Sequence, residues 1–398
     1  MRPLICFGLV LACQTSLEEP QAGGAPPKDP APSIQAPWTS FRGDERNTGR
    51  RTGSVPDVPR LRWSFDAKGE ILSTAAIAGG RVYVGTSEAG LLCLDLNTAD
   101  KAGKELWRHK IEAGIETSPT VHGGLVLFGD DSGVFRALDA GTGEPRWTFK
   151  TFEGDAGGQE IKSSAVVIGD RVLFGAYDQN LYCLSVKDGK KLWAFETQGP
   201  IHATPAVVEG KTFVAGCDEH LRTIDIAEGK ETAALATEGY SAGAPAVWGS
   251  RLVIGTSGSK VLCVDWKETK VLWTYENPDR QFPYQSGPAI GILEGGEAVA
   301  LIGGRDKLLH AIRLADGKRL WTFPTRAKVD SSPVVVGSRV IAAGLDGNVY
   351  VLELATGKEV WKFAGGGGFA ASPAVGEGRL VISNDEGLVY CFDLERAP

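Results

Sequence analysis

Residues 137–147, ALDAGTGEPRW, end in a tryptophan whose position recurs along the whole chain. The recurring slots are separated by 44, 40, 46, 40, 40, 48 and 40 residues. An alanine fills one slot, and the full set is Trp63, Trp107, Trp147, Trp193, Ala233, Trp273, Trp321 and Trp361. A period near 40 residues that is sustained in this way predicts an array of β units or a propeller.

Each repeat contains four short β-rich segments separated by turns. The first segment follows a small residue and Ser-Pro, or a related start. The first turn carries Gly, the second carries Asp or Gly, and the third carries Thr-Gly or a related pair. Four antiparallel strands with turn-rich connections form one propeller blade. The abundance of turn residues, with 52 Gly and 21 Pro in 398 residues, agrees with many short strands.

The two ends of the repeat region complement each other. Seven units are complete from residue 73 to residue 363, whereas residues 371–394 supply only three strands. Residues 61–65 supply a single strand, which we expect to complete the last blade and leave no open sheet edge. The sequence therefore predicts an all-β fold over residues 61–398. This fold is an eight-bladed propeller of four-stranded antiparallel blades, closed by the N-terminal strand 61–65.

The recurring tryptophans are predicted to dock successive blades together. In most repeats an aromatic residue follows two positions later, and alternate residues of a strand lie on the same face. Such a pair on the outermost strand would cover the seam to the next blade. Ala233 interrupts the pattern, and Trp248 and Trp266 in the following unit are candidates for filling the gap.

The first 60 residues precede the repeats and divide into three segments. Residues 1–12 have the short apolar run of a secretory signal, and Val10-Leu11-Ala12-Cys13 resembles a bacterial lipobox, with an ordinary N-terminus as the alternative. Cys13 is then the predicted lipidation site, and residues 13–37, rich in Pro, are a lipid-anchored flexible tether. Residues 38–60 are an irregular lead-in. By resemblance to Gram-negative lipoproteins, Gln14 after this cysteine favours the outer membrane, facing the periplasm.

Charge and motif content exclude several classes of function. The net charge is −7 and the chain has no long Lys/Arg run, which argues against nucleic-acid binding and leaves the lipid anchor as the expected membrane contact. The chain has no Walker loop or paired catalytic carboxylates, and no catalytic residues are predicted. Its five histidines lack metal-ligand spacing, and no metal site is predicted. We interpret Asp131, Asp218, Asp346 and Asp385 as ordinary turn residues.

One mouth of the central channel is the candidate binding surface. The innermost strand of each blade begins near the Ser-Pro position, and the residue before that strand should face the channel. This slot is polar in five of eight repeats and different in each, although polar residues are also common in wet entry loops. The five candidates are Glu116, Lys162, His202, Gln285 and Asp330. Two long insertions, residues 151–162 and 277–285, lie on the same side, where repeat proteins often bind partners.

The repeat itself resembles a known family. The pattern Ala137-x-Asp139-x-x-Thr142-Gly143-x-x-x-Trp147 is similar to the tryptophan-docking repeat of pyrroloquinoline-quinone (PQQ)-like propellers. Within that family the resemblance implies two branches: quinoprotein dehydrogenases, which hold quinone and calcium, and BamB-like lipoproteins, which act as protein-binding scaffolds in outer-membrane assembly. The dehydrogenase branch carries an adjacent Cys-Cys pair, which this sequence lacks.

Three functions follow as hypotheses. We expect a non-catalytic, lipid-anchored scaffold of the cell envelope that binds a protein partner without a cofactor. The first alternative is a PQQ-dependent enzyme or quinone-binding sensor with calcium, and the second is a binder of an envelope polymer or small ligand in the central channel.

Overall fold

Eight four-stranded antiparallel sheets surround a central channel in the computed structural model, which describes residues 31–152 and 157–394. The predicted eight-bladed propeller and its blade composition are confirmed. The predicted signal sequence, Cys13 and residues 13–30 of the tether lie outside the described residues. Residues 31–37, the end of the predicted tether, contact the propeller, since Ile34 O and Ala36 O accept hydrogen bonds from blade 8.

The first four blades each contain consecutive strands that run from the channel outward. Blade 1 comprises β3 (Ala76–Ala78), β4 (Arg81–Gly85), β5 (Leu91–Asp95) and β6 (Glu105–His109). Blade 2 comprises β7 (Thr120–His122), β8 (Leu125–Gly129), β9 (Val134–Asp139) and β10 (Pro145–Lys150). Blade 3 comprises β11 (Val166–Ile168), β12 (Arg171–Gly175), β13 (Asn180–Ser185) and β14 (Lys191–Glu196). Blade 4 comprises β15 (Ala206–Val208), β16 (Lys211–Ala215), β17 (His220–Asp225) and β18 (Lys230–Ala236).

The last four blades repeat this order. Blade 5 comprises β19 (Ala246–Trp248), β20 (Arg251–Gly255), β21 (Lys260–Asp265) and β22 (Lys270–Glu276). Blade 6 comprises β23 (Ala289–Ile292), β24 (Ala298–Gly303), β25 (Leu308–Arg313) and β26 (Arg319–Pro324). Blade 7 comprises β27 (Val334–Val336), β28 (Arg339–Ala343), β29 (Asn348–Glu353) and β30 (Glu359–Ala364). Blade 8 comprises β31 (Ala374–Gly376), β32 (Arg379–Ser383), β33 (Leu388–Asp393) and the N-terminal β2 (Arg60–Asp66).

The propeller is closed by pairing of its two chain ends, as the sequence predicts. β2 runs antiparallel to β33, with Trp63 opposite Cys391. The carboxylate of Asp393 at the end of β33 is 8% exposed and lies 2.6 Å from Arg60 Nη2 and 3.2 Å from Arg379 Nε. Closure therefore combines antiparallel pairing of β2 with β33, which has one register shift between Leu61 and Trp63, with an ion-pair cluster around a largely buried carboxylate.

The core fills the seams between neighbouring blades. In the seam between blades 2 and 3, the rings of Phe135 and Phe174 stack with centroids 4.1 Å apart. Alternate strand residues supply these apolar faces, because successive side chains of a strand point to opposite sides. Each blade therefore depends on its neighbours for burial.

The recurring tryptophans bind the following blade. The indole N–H of Trp147 donates to Val186 O at 2.9 Å, and Trp63, Trp107, Trp193, Trp273 and Trp321 make the equivalent bond. The ring of Trp107 lies over Gly143, where a Cβ atom would approach it to 2.7 Å and where φ is +76°. Glycine in this turn thus permits both the backbone conformation and the close approach of the indole.

At the seam between blades 4 and 5, where Ala233 takes the tryptophan position, a side chain of blade 5 fills the space. Thr269 replaces the docking glycine there, and Trp266 of blade 5 lies with its ring centroid 5.4 Å from that of Phe213 in blade 4. The Trp266 indole N–H donates to Gly249 O at 2.9 Å. Trp248, the other candidate, is buried in the cluster shared with blade 6 and faces Arg50. The compensating aromatic is therefore Trp266.

The lead-in crosses one end of the channel. A short 3-10 helix, Phe41–Gly43, and strand β1, Arg50–Arg51, are its regular elements. β1 pairs in parallel with β27, and lead-in carbonyls accept N–H bonds from the inner strands of six blades, at Ile77, Val121, Val207, Val247, Ile290 and Val335. Residues that look irregular in the sequence therefore form a fitted plug.

Candidate functional site

A polar well occupies the channel end opposite the lead-in. Its cavity has a volume of about 140 Å³ and is lined by all five predicted mouth residues, with Phe41 of the lead-in also in the lining. Blades 1, 5 and 8 contribute Leu72, Ala242 and Ala370 in the same slot. The repeat geometry brings the five predicted side chains to one cavity, whereas their binding role stays a prediction.

A ring of hydroxyl groups supports the well from below. The backbone N–H of Ser118 donates to the Ser164 hydroxyl of the next blade at 2.8 Å, and that of Ser332 donates to Ser372 at 2.9 Å. The same bond joins Thr74 to Ser118, Ser164 to Thr204, Gly287 to Ser332 and Ser372 to Thr74. These bonds join six of the eight pairs of neighbouring blades and fix their inner strands relative to each other, whereas Ala244 and Gly287 supply no hydroxyl at the other two seams.

Lys162 is surrounded by three carboxylates. Its Nζ lies 2.6 Å from Glu116 Oε1, 3.0 Å from Asp131 Oδ1 and 3.4 Å from Glu160 Oε2. Burial opposes the charge of Lys162, but the hydrogen bonds that it donates to Glu116 and Asp131 outweigh this effect and hold its pKa above the ordinary value. Burial raises the pKa of Asp131, and the nearby Glu116 and Glu160 add to the effect against the opposing influence of Lys162.

His202 forms the next part of the wall. Its Nδ1 lies 2.9 Å from the Tyr177 hydroxyl, and burial lowers the pKa of the imidazole below its ordinary value. No protein atom of residues 31–152 and 157–394 forms a hydrogen bond with the other ring nitrogen, Nε2. His202 therefore offers the well a ring nitrogen that can donate or accept a hydrogen bond, depending on the tautomer.

The far side of the mouth pairs its charges more evenly. Arg305 binds Asp330 with two hydrogen bonds, from Nε at 3.0 Å and from Nη2 at 2.9 Å. Gln285 Nε2 donates to the Tyr240 hydroxyl at 3.3 Å. Tyr240 and Phe282 are exposed here, at 38% and 47%. This side thus combines a neutral ion pair with accessible aromatic surface.

Around the mouth residues lies an outer layer of side chains that the repeat pattern did not predict. Asp131, Tyr177 and Arg305 occupy the same slot, two residues after the end of the second strand, and each contacts the mouth residue of the next blade. In all eight blades the residue in this slot donates its N–H to a carbonyl of the mouth loop that leads into its own blade, at 2.8–3.0 Å. Asp131 lies in a turn, as predicted, but its carboxylate binds Lys162. The carboxylates of Asp218 and Asp346 instead accept hydrogen bonds from backbone N–H groups two residues later in their turns. The sequence does contain an indication of this layer, because this position also varies from repeat to repeat.

Other reactive groups lie outside the well or are buried. Cys93, Cys183, Cys263 and Cys391 lie in the third strands of four blades and are free, and burial raises the pKa of Cys93, Cys263 and Cys391 to about 12. Their thiols therefore stay protonated near neutral pH. Among residues 31–152 and 157–394 no group of three or more His, Cys, Asp or Glu is arranged to hold a metal, and no helix there has the length and hydropathy of a membrane span.

Comparison with known proteins places the repeats in one family. A family profile described as outer membrane protein assembly factor BamB matches residues 51–178, 159–283 and 305–397. In a solved structure, BamB from Moraxella catarrhalis superimposes with a TM-score of 0.68 at 18% identity, covering 84% of this chain and all of that one. The quinohemoprotein alcohol dehydrogenase of Comamonas testosteroni superimposes with a TM-score of 0.73 at 14% identity, covering 91% and 81%. These two likenesses concern the fold.

Curated relatives fall into the same two groups. The putative dehydrogenase XoxF of Paracoccus denitrificans is 29% identical over 224 residues, which are 49% of this chain and 35% of that protein. BamB of Moranella endobia is 28% identical over 148 residues, which are 34% of this chain and 37% of that protein. The matches thus span about a third of the length of these relatives.

Proposed function

Because the chain belongs to the family of the outer membrane protein assembly factor BamB, we propose that it is a non-catalytic scaffold that binds a protein partner in the cell envelope. Outer-membrane protein assembly is the specific role we infer. The observation that carries the proposal is the arrangement of the channel. The five non-repeating polar residues of the well converge at one end, while the lead-in fills the other. A site that opens on one face suits a partner that docks on that face.

The composition of the rim supports a protein partner. Exposed Tyr240 and Phe282 flank the well, and aromatic residues next to polar groups are common anchors of protein interfaces. Hydrogen bonds between the inner strands of blades 2 and 3 and of blades 7 and 8 help to preorganise the well, which lowers the entropic cost of binding.

Site-specific photo-crosslinking tests the proposal. A photoreactive residue in place of Gln285 at the mouth should capture an envelope partner. The same residue in place of Glu268, in the β21–β22 turn outside the mouth loops, should not. Equal capture from both positions, or capture from Glu268 alone, would contradict the proposed surface.

Anchoring at Cys13 forms a separate part of the proposal. Cys13 follows the lipobox-like residues and precedes the Pro-rich tether, so the propeller would face the periplasm from the outer membrane. The variant Cys13→Ser should fold normally yet appear in the soluble fraction after cell lysis. Persistent sedimentation with membranes would show that the anchor is elsewhere.

A quinone-dependent enzyme is the second candidate, because dehydrogenases are among the relatives. PQQ carries carboxylates and needs cationic partners, but the two cations of the well, Lys162 and Arg305, are already paired with acidic side chains. The cavity of about 140 Å³ is also smaller than the roughly 300–1,000 Å³ typical of ligand pockets. The residues present do not fit this cofactor. A titration with PQQ and calcium should give no saturable binding, whereas binding with redox activity would favour the enzyme.

A further inference from the structure

The charge of the well is unbalanced on one side. Three carboxylates share the single ammonium group of Lys162, which leaves this side with an excess of negative charge. Asp330, across the channel, is neutralised by Arg305. The side chains of Glu116 and Glu160 are 32% and 47% exposed, so a group that enters from solvent can reach them.

The size and closure of the well limit what can enter it. The lead-in fills the other end of the channel, and the cavity of about 140 Å³ is less than half the lower bound of roughly 300 Å³ for ligand pockets. A single side chain fits such a space better than a drug-sized molecule does.

His202 adds an independent requirement. It lines the cavity, and its Nε2 has no protein acceptor within the described ranges. An occupant that brings a peptide group can hydrogen-bond this nitrogen in either tautomer, through its carbonyl or its N–H. The well thus matches a group that combines a positive charge with a peptide group.

We propose that the well receives one arginine side chain from an exposed loop of the partner protein, with its guanidinium at Glu116 and Glu160. Arginine is preferred over lysine because its planar fork can bind carboxylates with two parallel hydrogen bonds. A peptide group of the same loop forms a hydrogen bond with His202 Nε2, and the rest of the loop packs on Tyr240 and Phe282. This inference rests on the proposed function, since it specifies the chemistry of that partner.

The first test uses small probes with the full chain. N-acetyl-arginine methylamide should bind in a calorimetric titration at low salt. Its citrulline counterpart, which has the same shape without the charge, should bind at least about tenfold more weakly. The lysine counterpart should be intermediate. Equal binding of the arginine and citrulline probes would overturn the inference.

Matched variants locate the binding. Glu116→Gln combined with Glu160→Gln should weaken binding of the arginine probe about tenfold, because two charges that face the guanidinium are removed. Glu228→Gln combined with Glu268→Gln changes the net charge equally in turns outside the mouth loops and should leave binding unchanged. An equal loss in both double variants would reduce the effect to net charge and overturn the proposed site. Thermal unfolding of each variant confirms that it is folded.

The crosslinking experiment separates this inference from the proposed function. If Gln285 still captures a partner in the Glu116→Gln, Glu160→Gln variant with undiminished yield, the mouth binds a protein without the arginine contact. The inference then fails and the scaffold function stands. If the arginine probe binds but the mouth captures no protein, the well is confirmed and the scaffold function fails.

Discussion

The two ends of the channel solve the problem of buried charge in opposite ways. At the lead-in end, Arg51 is almost fully buried and donates to backbone carbonyls of Pro37, Gly43 and Val375 while its guanidinium lies 4.4 Å from the Trp38 ring centre. At the mouth, Lys162 is paired with carboxylates that remain partly exposed. The first arrangement is closed and has no room for a partner, whereas the second retains accessible charge.

The difference shows which end is structural and which is free to bind. The lead-in carbonyls satisfy inner-strand N–H groups of six blades, as a structural plug must. Within the described residues, the mouth leaves His202 Nε2 without a protein partner and has an excess of carboxylates at Lys162.

Removal of the closing segments should have the largest effect. A chain that begins after residue 65 lacks the plug and β2, so it exposes the edge of β33 and loses Trp63, which is 1% exposed. Loss of a large buried aromatic alone costs about 3–5 kcal/mol, and an exposed edge promotes aggregation. We expect no cooperative thermal unfolding, whereas a chain that begins at residue 31 should unfold as the full chain does. Similar melting curves for both truncations would show that closure is dispensable.

The two buried arginines of the lead-in should respond differently to the same change. Arg51→Met removes donors from several buried carbonyls and should lower the free energy of unfolding by about 3 kcal/mol. Within residues 31–152 and 157–394 the Arg42 side chain makes one hydrogen bond, to Pro288 O, and its Nε and Nη1 have no partner. Burial lowers the pKa of Arg42 to about 9. Arg42→Met should therefore change stability by less than about 1 kcal/mol or increase it. Denaturant unfolding of both variants measures the contrast, and equal losses would refute it.

Much of the wall of the channel could be predicted because the repeat determines it. The period located all eight blades, the closing strand and the five mouth residues, since each slot has a constant position in its blade. The fit of the lead-in could not be predicted, because residues 38–52 occur once and have no periodicity to indicate their partners. The outer layer at Asp131, Tyr177 and Arg305 was missed for a different reason: contacts between blades depend on side-chain reach as well as on slot.

The ion pairs of the mouth should have a moderate effect on stability. Lys162→Met leaves Glu116, Asp131 and Glu160 close together without a cation, and we expect a loss of about 1–2 kcal/mol at pH 7. The loss should shrink at low pH as these carboxylates become protonated. Lys211→Met serves as a control, because Lys211 pairs with Asp225 alone at a partly exposed site and should contribute less than about 1 kcal/mol. A Lys162→Met loss that is independent of pH would indicate lost packing instead.

The smallest effect should come from the protonation of His202. Burial lowers the pKa of His202 in the folded protein below the ordinary value of about 6.5, so at intermediate pH the unfolded chain binds a proton that the folded chain does not. Stability should therefore fall as pH decreases through about 6.5, and the fall should be complete below the folded pKa. His202→Gln keeps an acceptor for the Tyr177 hydroxyl but does not titrate, so its unfolding free energy should decrease less between pH 7.5 and pH 5.5 than that of the unchanged chain. His122→Gln makes the same chemical change at an exposed position on β7 and should leave the pH dependence as it was. If the unfolding free energy of the His202→Gln variant has the same pH dependence as that of the unchanged chain, His202 takes up a proton in the folded protein as readily as in the unfolded chain. The mouth would then hold a cation instead of a neutral imidazole.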